Sequence, residues 1–260
     1  MRILGVRLDI LPPLELRQMI EARLQQGEDG LLFITTVNAE CLAIASSDDT
    51  YREVLNQASL NVIDGAGVAL IARLRGQRRP HRAPGSELIY ELARTCQITG
   101  NRLFLLGSET RTARRASERL HRLYPGLQVD WYSPSFSPSL ALSVEDEAEI
   151  ERRLREYSPG VLCVALGMPK QEFWIHQHKQ PLAEWGVKLA IGIGGALAYV
   201  AGDFPEPPRW VRALGLEWLY RLLRQPHKRF RRQALRLPRF LALALLETAK
   251  LRLRSPRRAK

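Results

Sequence analysis

Short apolar runs rich in β-branched residues recur along the chain, each followed by a polar or glycine-containing turn and then by apolar residues three and four apart. The first, Leu31-Leu32-Phe33-Ile34-Thr35-Thr36-Val37, ends at Asn38, a favoured helix cap, ahead of Ala39-Glu40-Cys41-Leu42-Ala43. Leu60 to Ile63 then precedes Asp64-Gly65-Ala66-Gly67, Leu103 to Leu106 precedes Gly107-Ser108, and Val161 to Leu166 precedes Gly167-Met168-Pro169. Val187 to Ile193 before Gly194-Gly195 makes a fifth such unit. Between them lie helical stretches such as the one opening at Ser86-Glu87, where Ser86 is a candidate cap and Leu88, Leu92 and Cys96 share a face. The alternation predicts an α/β fold, a Rossmann-like, mainly parallel sheet flanked by helices on both faces. Ligands bind such sheets at the carboxyl ends of the strands, where these turns fall, so the polar residues of the turns become the candidate site.

The pattern breaks at Asp203-Phe204-Pro205-Glu206-Pro207-Pro208, a stretch that cannot continue a helix. This predicts a catalytic α/β domain over residues 1–205 and a helical, membrane-associating appendage over 206–260, with Pro226 and Pro238 dividing the appendage. Charge divides at nearly the same place. Of a formal charge of +12, residues 209–260 hold 16 Lys and Arg against Glu217 and Glu247, or +14, which leaves −2 for residues 1–208. A near-neutral body with a basic tail points to docking on an anionic surface rather than to nucleic acid. The apolar run Phe240 to Leu246, bracketed by Arg236, Arg239, Lys250, Arg252 and Arg254, suits a helix lying among lipid headgroups. The alternative is a helix packed on the catalytic domain or on a second copy of the chain. Uncharged stretches such as Leu189 to Gly202, 14 residues, fall short of the roughly 20 a spanning helix needs. Charge arrives too early at the N-terminus for a signal peptide, and Cys41, Cys96 and Cys163 read as buried thiols of a reducing compartment. Together these predict a cytoplasmic protein held peripherally on the inner face of the cell membrane, with self-association left open.

Within the turns, Asp64 directly follows a strand and precedes glycines that let a substrate come close, the placement needed for a carboxylate that takes a proton from an attacking hydroxyl. An Asp serving only as turn residue and cap has the same pattern. Thr36 and Asn38 occupy the equivalent edge of the first strand, with a hydroxyl and an amide suited to sugar hydroxyls, Asn38 doubling as a cap. Gly107 and its successors open a helix whose backbone N–H groups suit a phosphate, and Gly194-Gly195 offers either a similar close approach or tight packing. Gln171 is a candidate for a sugar or acceptor, Lys170 for a phosphate, and Arg82, in the basic loop before Ser86, for a diphosphate leaving group. There is no Asp-x-Asp pair, no His-x-x-x-His and no Cys-x-x-Cys, so no metal cofactor is expected.

Several motifs occur in an order that resembles the WecG/TagA/CpsF glycosyltransferases, glycosyltransferase family 26, from about Leu31 to Arg232. They are Thr36-Val37-Asn38, Asp64-Gly65, His81-Arg82-Ala83-Pro84-Gly85-Ser86-Glu87-Leu88, Leu103-Phe104-Leu105-Leu106-Gly107, Ala165-Leu166-Gly167-Met168-Pro169-Lys170-Gln171-Glu172 and Gly215-Leu216-Glu217-Trp218-Leu219-Tyr220-Arg221-Leu222. The resemblance implies an inverting, metal-independent transfer of a hexose, often of the N-acetylmannosamine type, from a UDP-sugar donor to an undecaprenyl-diphosphate-linked sugar, in teichoic acid or exopolysaccharide synthesis. It makes Asp64 the base, Thr36, Asn38 and Gln171 substrate contacts, and Arg82 a neighbour of the phosphates. It further implies an appendage that closes over the site at the membrane, with Arg221, Arg224, Arg229 and Arg232 for the diphosphate. Two places differ: Glu206-Pro207-Pro208 stands where the family commonly has Arg-Ala-Pro, and Leu197-Ala198 where it commonly has Phe-Asp. The donor sugar therefore stays open. Two other classes compete. A nucleic-acid-binding protein would use the basic tail, with Trp210, Trp218, Tyr220, Phe230 and Phe240 as its aromatic groups, and a catalytically silent scaffold would bind a nucleotide-sugar without turnover.

Overall fold

The computed structural model describes residues 1–26, 30–135, 142–205, 208, 211, 220 and 226–254, with the backbone alone for 226–235 and 254. Six parallel strands form the central sheet: β3 (Leu32–Val37), β4 (Leu60–Ile63), β5 (Leu103–Gly107), β6 (Val129–Tyr132), β7 (Val161–Ala165) and β8 (Leu189–Gly192), in the order β4-β3-β8-β7-β5-β6. The five runs expected from the sequence are β3, β4, β5, β7 and β8. Their near-continuous burial explains why they read as apolar blocks rather than alternations, since both faces of the sheet are covered. On one face α1 (Pro13–Gln26), α5 (Gly85–Thr99), α6 (Thr110–Leu123) and α10 (Ala196–Val200) bury Leu24, Leu92, Leu120 and Leu197 against Ile34, Leu105, Cys163 and Ile191. On the other, α7 (Val144–Tyr157), α8 (Lys170–Gln177) and α9 (Lys179–Glu184) cover Phe33, Phe104, Leu162 and Ala190.

A third cluster joins α2 (Ala39–Ala45), α3 (Asp49–Asn56) and α4 (Ala66–Leu74) to an N-terminal hairpin, β1 (Arg2–Ile3) and β2 (Val6–Arg7), turned by Leu4 at φ 49° and Gly5 at φ 79°. The last helix, α11 (Pro226–Arg254), belongs to this cluster. Phe240 and Ala244 are fully buried in it, Arg236 pairs with Glu40, and Arg75 reaches Glu247 at 2.5 Å and Thr248 Oγ1 at 2.8 Å. Arg75 itself is almost buried, so this clamp lies at the interface and not on the surface. Over Leu237–Thr248 the alternative of a helix packed on the catalytic domain is the one seen, and one face of α11 completes the core. Packing decides this, because leaving Phe240 in water forfeits about 1.5–3 kcal/mol. Leu245, Leu246 and Leu253 remain exposed on the opposite side, beside exposed Arg239 and Lys250. Pro238 does not divide the helix but lies inside it, on the exposed side, while Pro226 begins it. No helix among the described residues is long and apolar enough to cross a membrane.

Candidate active site

Because all six strands run the same way, the turns after β4, β3, β8, β7 and β5 line one edge in that order. At about 4.8 Å per strand, the row from the end of β4 to the end of β5 spans about 19 Å. The edge has a switch point between β5 and β7, whose outgoing connections leave in opposite directions along the sheet.

Asp64 stands at the β4 end of the row. Its backbone N–H donates to the Val37 carbonyl at 2.9 Å, and its Oδ1 accepts the N–H of Gly85 at 3.2 Å. The Arg82 loop comes alongside through Ala83, whose N–H donates to Ile63 O at 2.7 Å. Helix α5 therefore begins at Gly85 with Pro84 at the cap position, and Ser86 lies inside the first turn instead of capping it. Gly65 follows Asp64, and a Cβ there would meet Asn38 Cβ at 3.4 Å, which places Asn38 beside the Asp64 turn. Asn38 Oδ1 accepts from the N–H groups of Glu40 and Cys41 and so caps α2. The cap engages only the amide oxygen, which leaves the amino end as the chemistry Asn38 offers a ligand.

Thr36 is 8% exposed, and its hydroxyl donates to Gly192 O at 2.9 Å, tying β3 to the turn after β8. Gln171 is deeper, at 2% exposure. Its Oε1 accepts the N–H of Gly194 at 3.0 Å while its Nε2 donates to Glu172 Oε1 at 2.7 Å. In this structure both side chains brace the Gly192–Gly195 turn from opposite sides. A Cβ on Gly192 would come within 2.7 Å of Gln171 Nε2, so the missing side chain is what lets the brace form. Gly194 takes φ +50°, and Gly195 is exposed at the cap of α10.

At Gly107 itself the structure shows a packing role. Gly107 has φ +101°, and a Cβ there would meet the Ala165 backbone at 2.8 Å, so the glycine serves close packing of β5 on β7. The next N–H, that of Ser108, donates to Ala165 O at 3.1 Å and is turned into the sheet rather than toward a ligand. Gly167, by contrast, has φ +81° with nothing within 4 Å of where a Cβ would stand, so its surface is open. Lys170 begins α8 just beyond it, half-buried, and burial lowers its ammonium pKa.

Residues Arg221 and Arg224 lie outside the described residues. The backbone of Arg229 and Arg232 belongs to α11, whose direction is fixed by its partners: Glu40, in the first turn of α2, meets Arg236, while Leu74, at the far end of α4, meets Arg252. Helix α2 starts at the carboxyl edge of the sheet, so the ten residues before Arg236 carry α11 about 15 Å past that edge.

Sequence reasoning missed Tyr51 and Glu172 as a pair. Tyr51 OH donates to Glu172 Oε2 at 3.2 Å, and both groups are buried behind the brace. Burial pushes the Glu172 carboxyl up from 4.5 to about 7, against the hydrogen bonds from Gln171 and Tyr51 that pull it down. Burial likewise raises the Cys41 thiol and the Tyr51 phenol beside it.

The model of the WecG/TagA/CpsF family of glycosyl transferases matches residues 1–254. An N-acetylglucosaminyldiphosphoundecaprenol N-acetyl-beta-D-mannosaminyltransferase of Staphylococcus aureus (strain MRSA252) is 32% identical over 221 residues, 85% of this chain and 83% of its own length. The protein of the same description from strain NCTC 8325 / PS 47 is 31% identical over the same shares. The motif Gly215 to Leu222 lies, but for Tyr220, outside the described residues; with the other motifs at one sheet edge and the match running through α11, the chain belongs to the WecG/TagA/CpsF family of glycosyltransferases.

Proposed function

We propose that the protein transfers a hexose of the N-acetylmannosamine type from a UDP-sugar to a sugar carried on undecaprenyl diphosphate, in the assembly of a teichoic acid or exopolysaccharide. The observation that carries this reading is the placement of Asp64. Its carboxylate stands at the carboxyl edge beside Asn38 and the Arg82 loop, oriented by the Gly85 N–H, with no side chain on Gly65 to obstruct an incoming ring. The relatives' described reaction on a diphosphoundecaprenol acceptor supports the lipid-linked acceptor.

In this mechanism the acceptor hydroxyl attacks the anomeric carbon from the face opposite UDP. The new C–O bond forms as the bond to the β-phosphate breaks, the configuration inverts, and Asp64 takes the hydroxyl proton. The negative charge that develops on UDP is met by cations rather than by a bound metal. Arg82 and Lys170 flank the edge, and Arg221, Arg224, Arg229 and Arg232 come from the appendage. Asn38 offers its amino end to the sugar, while Thr36 and Gln171 act through the turn they brace. The exposed Leu245, Leu246 and Leu253 with Arg239 and Lys250 give α11 an outward face suited to the anionic inner leaflet, where the acceptor resides. UDP release from a panel of UDP-sugars, with and without the lipid acceptor in detergent, tests this reading. Acceptor-dependent release from one donor is expected, and release from none would return weight to a scaffold that binds nucleotide-sugars without turnover.

A further inference from the structure

Glu172 is the most deeply buried carboxylate among the described residues, at 1% exposure, and the mechanism above gives it no step. It joins a chain of three hydrogen bonds that runs from α3 through α8 to the candidate site: Tyr51 OH to Glu172 Oε2, Gln171 Nε2 to Glu172 Oε1, and Gly194 N–H to Gln171 Oε1. The direction of each bond is fixed by chemistry. A backbone N–H only donates, so the Gln171 oxygen must face Gly194, and its amino end must then face an acceptor. Glu172 Oε1 is the acceptor here, whether the carboxyl is ionised or carries its proton on Oε2, so Glu172 admits one orientation of the Gln171 amide and excludes the flipped one. In the flipped amide, two donors would meet at Gly194.

We infer that Glu172 is a positioning residue of this transferase: it sets the Gln171 amide, and through it the Gly192–Gly195 turn, in the one arrangement that the nucleotide-sugar site uses. Two further contacts converge on the same turn. Thr36 holds Gly192 O from the β3 side, and the absent side chain of Gly192 leaves the space that Gln171 and Glu172 fill, with Glu172 Oε1 only 3.1 Å from where a Cβ would stand. A carboxyl buried between Tyr51 and the Gly192 turn carries a desolvation cost, which its hydrogen bonds offset only in part. The inference rests on the transferase reading for its consequence on catalysis, but not for its consequence on the turn.

The experiment therefore reads both, in the full-length chain. Amide hydrogen exchange at residues 192–195 is compared between wild type, Glu172→Leu and Glu172→Gln, alongside titration of each with UDP. In the Leu variant no acceptor faces Gln171 Nε2, and exchange at Gly194 is expected to quicken at least tenfold, with UDP affinity weakened by a similar factor. The Gln variant still presents an oxygen to Gln171 and is expected to stay within about threefold of wild type on both counts. In a Gln171→Leu background, Glu172→Leu should add nothing further. Should Glu172→Leu fail to fold, Tyr51→Phe carries the test, since losing the hydroxyl that anchors Glu172 is expected to quicken the same exchange about threefold. Unchanged exchange in Glu172→Leu, or in Tyr51→Phe where the Leu variant does not fold, would overturn the positioning role. If exchange responds as expected while UDP binds no variant and not the wild type, the positioning stands and the transferase reading is what fails.

Discussion

Asp64 Oδ1 accepts the backbone N–H of Gly85 at 3.2 Å, a bond that ties the end of β4 to the start of α5 and fixes the direction in which the carboxylate faces the sheet edge. An amide oxygen can accept the same bond. Asp64→Asn is therefore expected to keep the fold, with stability within about 1 kcal/mol of wild type, while turnover falls by about 10²–10⁴ because the amide cannot take a proton. UDP affinity, measured by titration, should stay within a few-fold of wild type. A variant that lost affinity and fold together would make Asp64 a structural turn residue.

Helix α11 is part of the folded body over Leu237–Thr248, so removing residues 209–260 uncovers the groove between α2 and α4. The charge division alone suggests a tail that detaches cleanly. With Phe240 in the core, the truncated chain is instead expected to be strongly destabilised and prone to aggregate. Phe240→Ala in the full chain should cost about 3–5 kcal/mol by urea unfolding, as for a fully buried aromatic side chain. A cost below about 1 kcal/mol would restore the detachable appendage.

Gly107→Ala tests the packing role assigned to that glycine. The added methyl would stand 2.8 Å from the Ala165 backbone at a φ of +101°, and both effects act against it. A loss above about 2 kcal/mol in chemical denaturation is expected, with UDP affinity of the surviving folded fraction unchanged. Full stability with weakened UDP binding would return Gly107 to the phosphate site.

The Glu172 carboxyl, raised from 4.5 to about 7 by burial, makes stability depend on pH. Between those values the native chain holds a proton that the unfolded chain releases. The stabilising contribution of this group is thus present below about pH 4.5 and is lost as pH rises to about 7. Tyr51 and Cys41, both raised by burial, stay protonated across that range. Glu172→Gln removes the titration, so its stability relative to wild type should grow across the same window by at most about 3 kcal/mol. Thermal melts of the pair from acid to neutral pH measure this, and a difference that does not change with pH would show that Glu172 ionises normally.

Much of this was legible in the sequence because β3, β4, β5, β7 and β8 are buried on both faces and end in turns with polar or glycine residues. Strand β6 was not legible. Its four residues, Val129-Asp130-Trp131-Tyr132, are all half-buried at the sheet edge, and no glycine turn follows them. The two-residue strands of the N-terminal hairpin are too short to show a period. Of the candidate site, Asp64, Asn38 and the Arg82 loop were placed together by strand ends alone. What sequence spacing could not show is which atoms are already engaged. Thr36 and Gln171 read as substrate contacts because their types and positions suit sugars, yet their partners Gly192 and Gly194 lie on a strand and turn distant in sequence. The partner of Glu172 was hidden for the same reason, since only the fold brings Tyr51 against it. The docking face of α11 was hidden by composition: a basic, leucine-rich stretch looks alike whether lipid or protein covers it.

Base catalysis by Asp64 on a lipid-linked acceptor is tested by the mass of N-acetylglucosaminyl-diphosphoundecaprenol after incubation with UDP-N-acetylmannosamine, for wild type and Asp64→Asn side by side. Wild type is expected to add one sugar to the lipid and release UDP in step, while the variant leaves the lipid unchanged over the same time. Sugar added equally well by the variant, or UDP released by wild type at the same rate without the lipid, would refute that role.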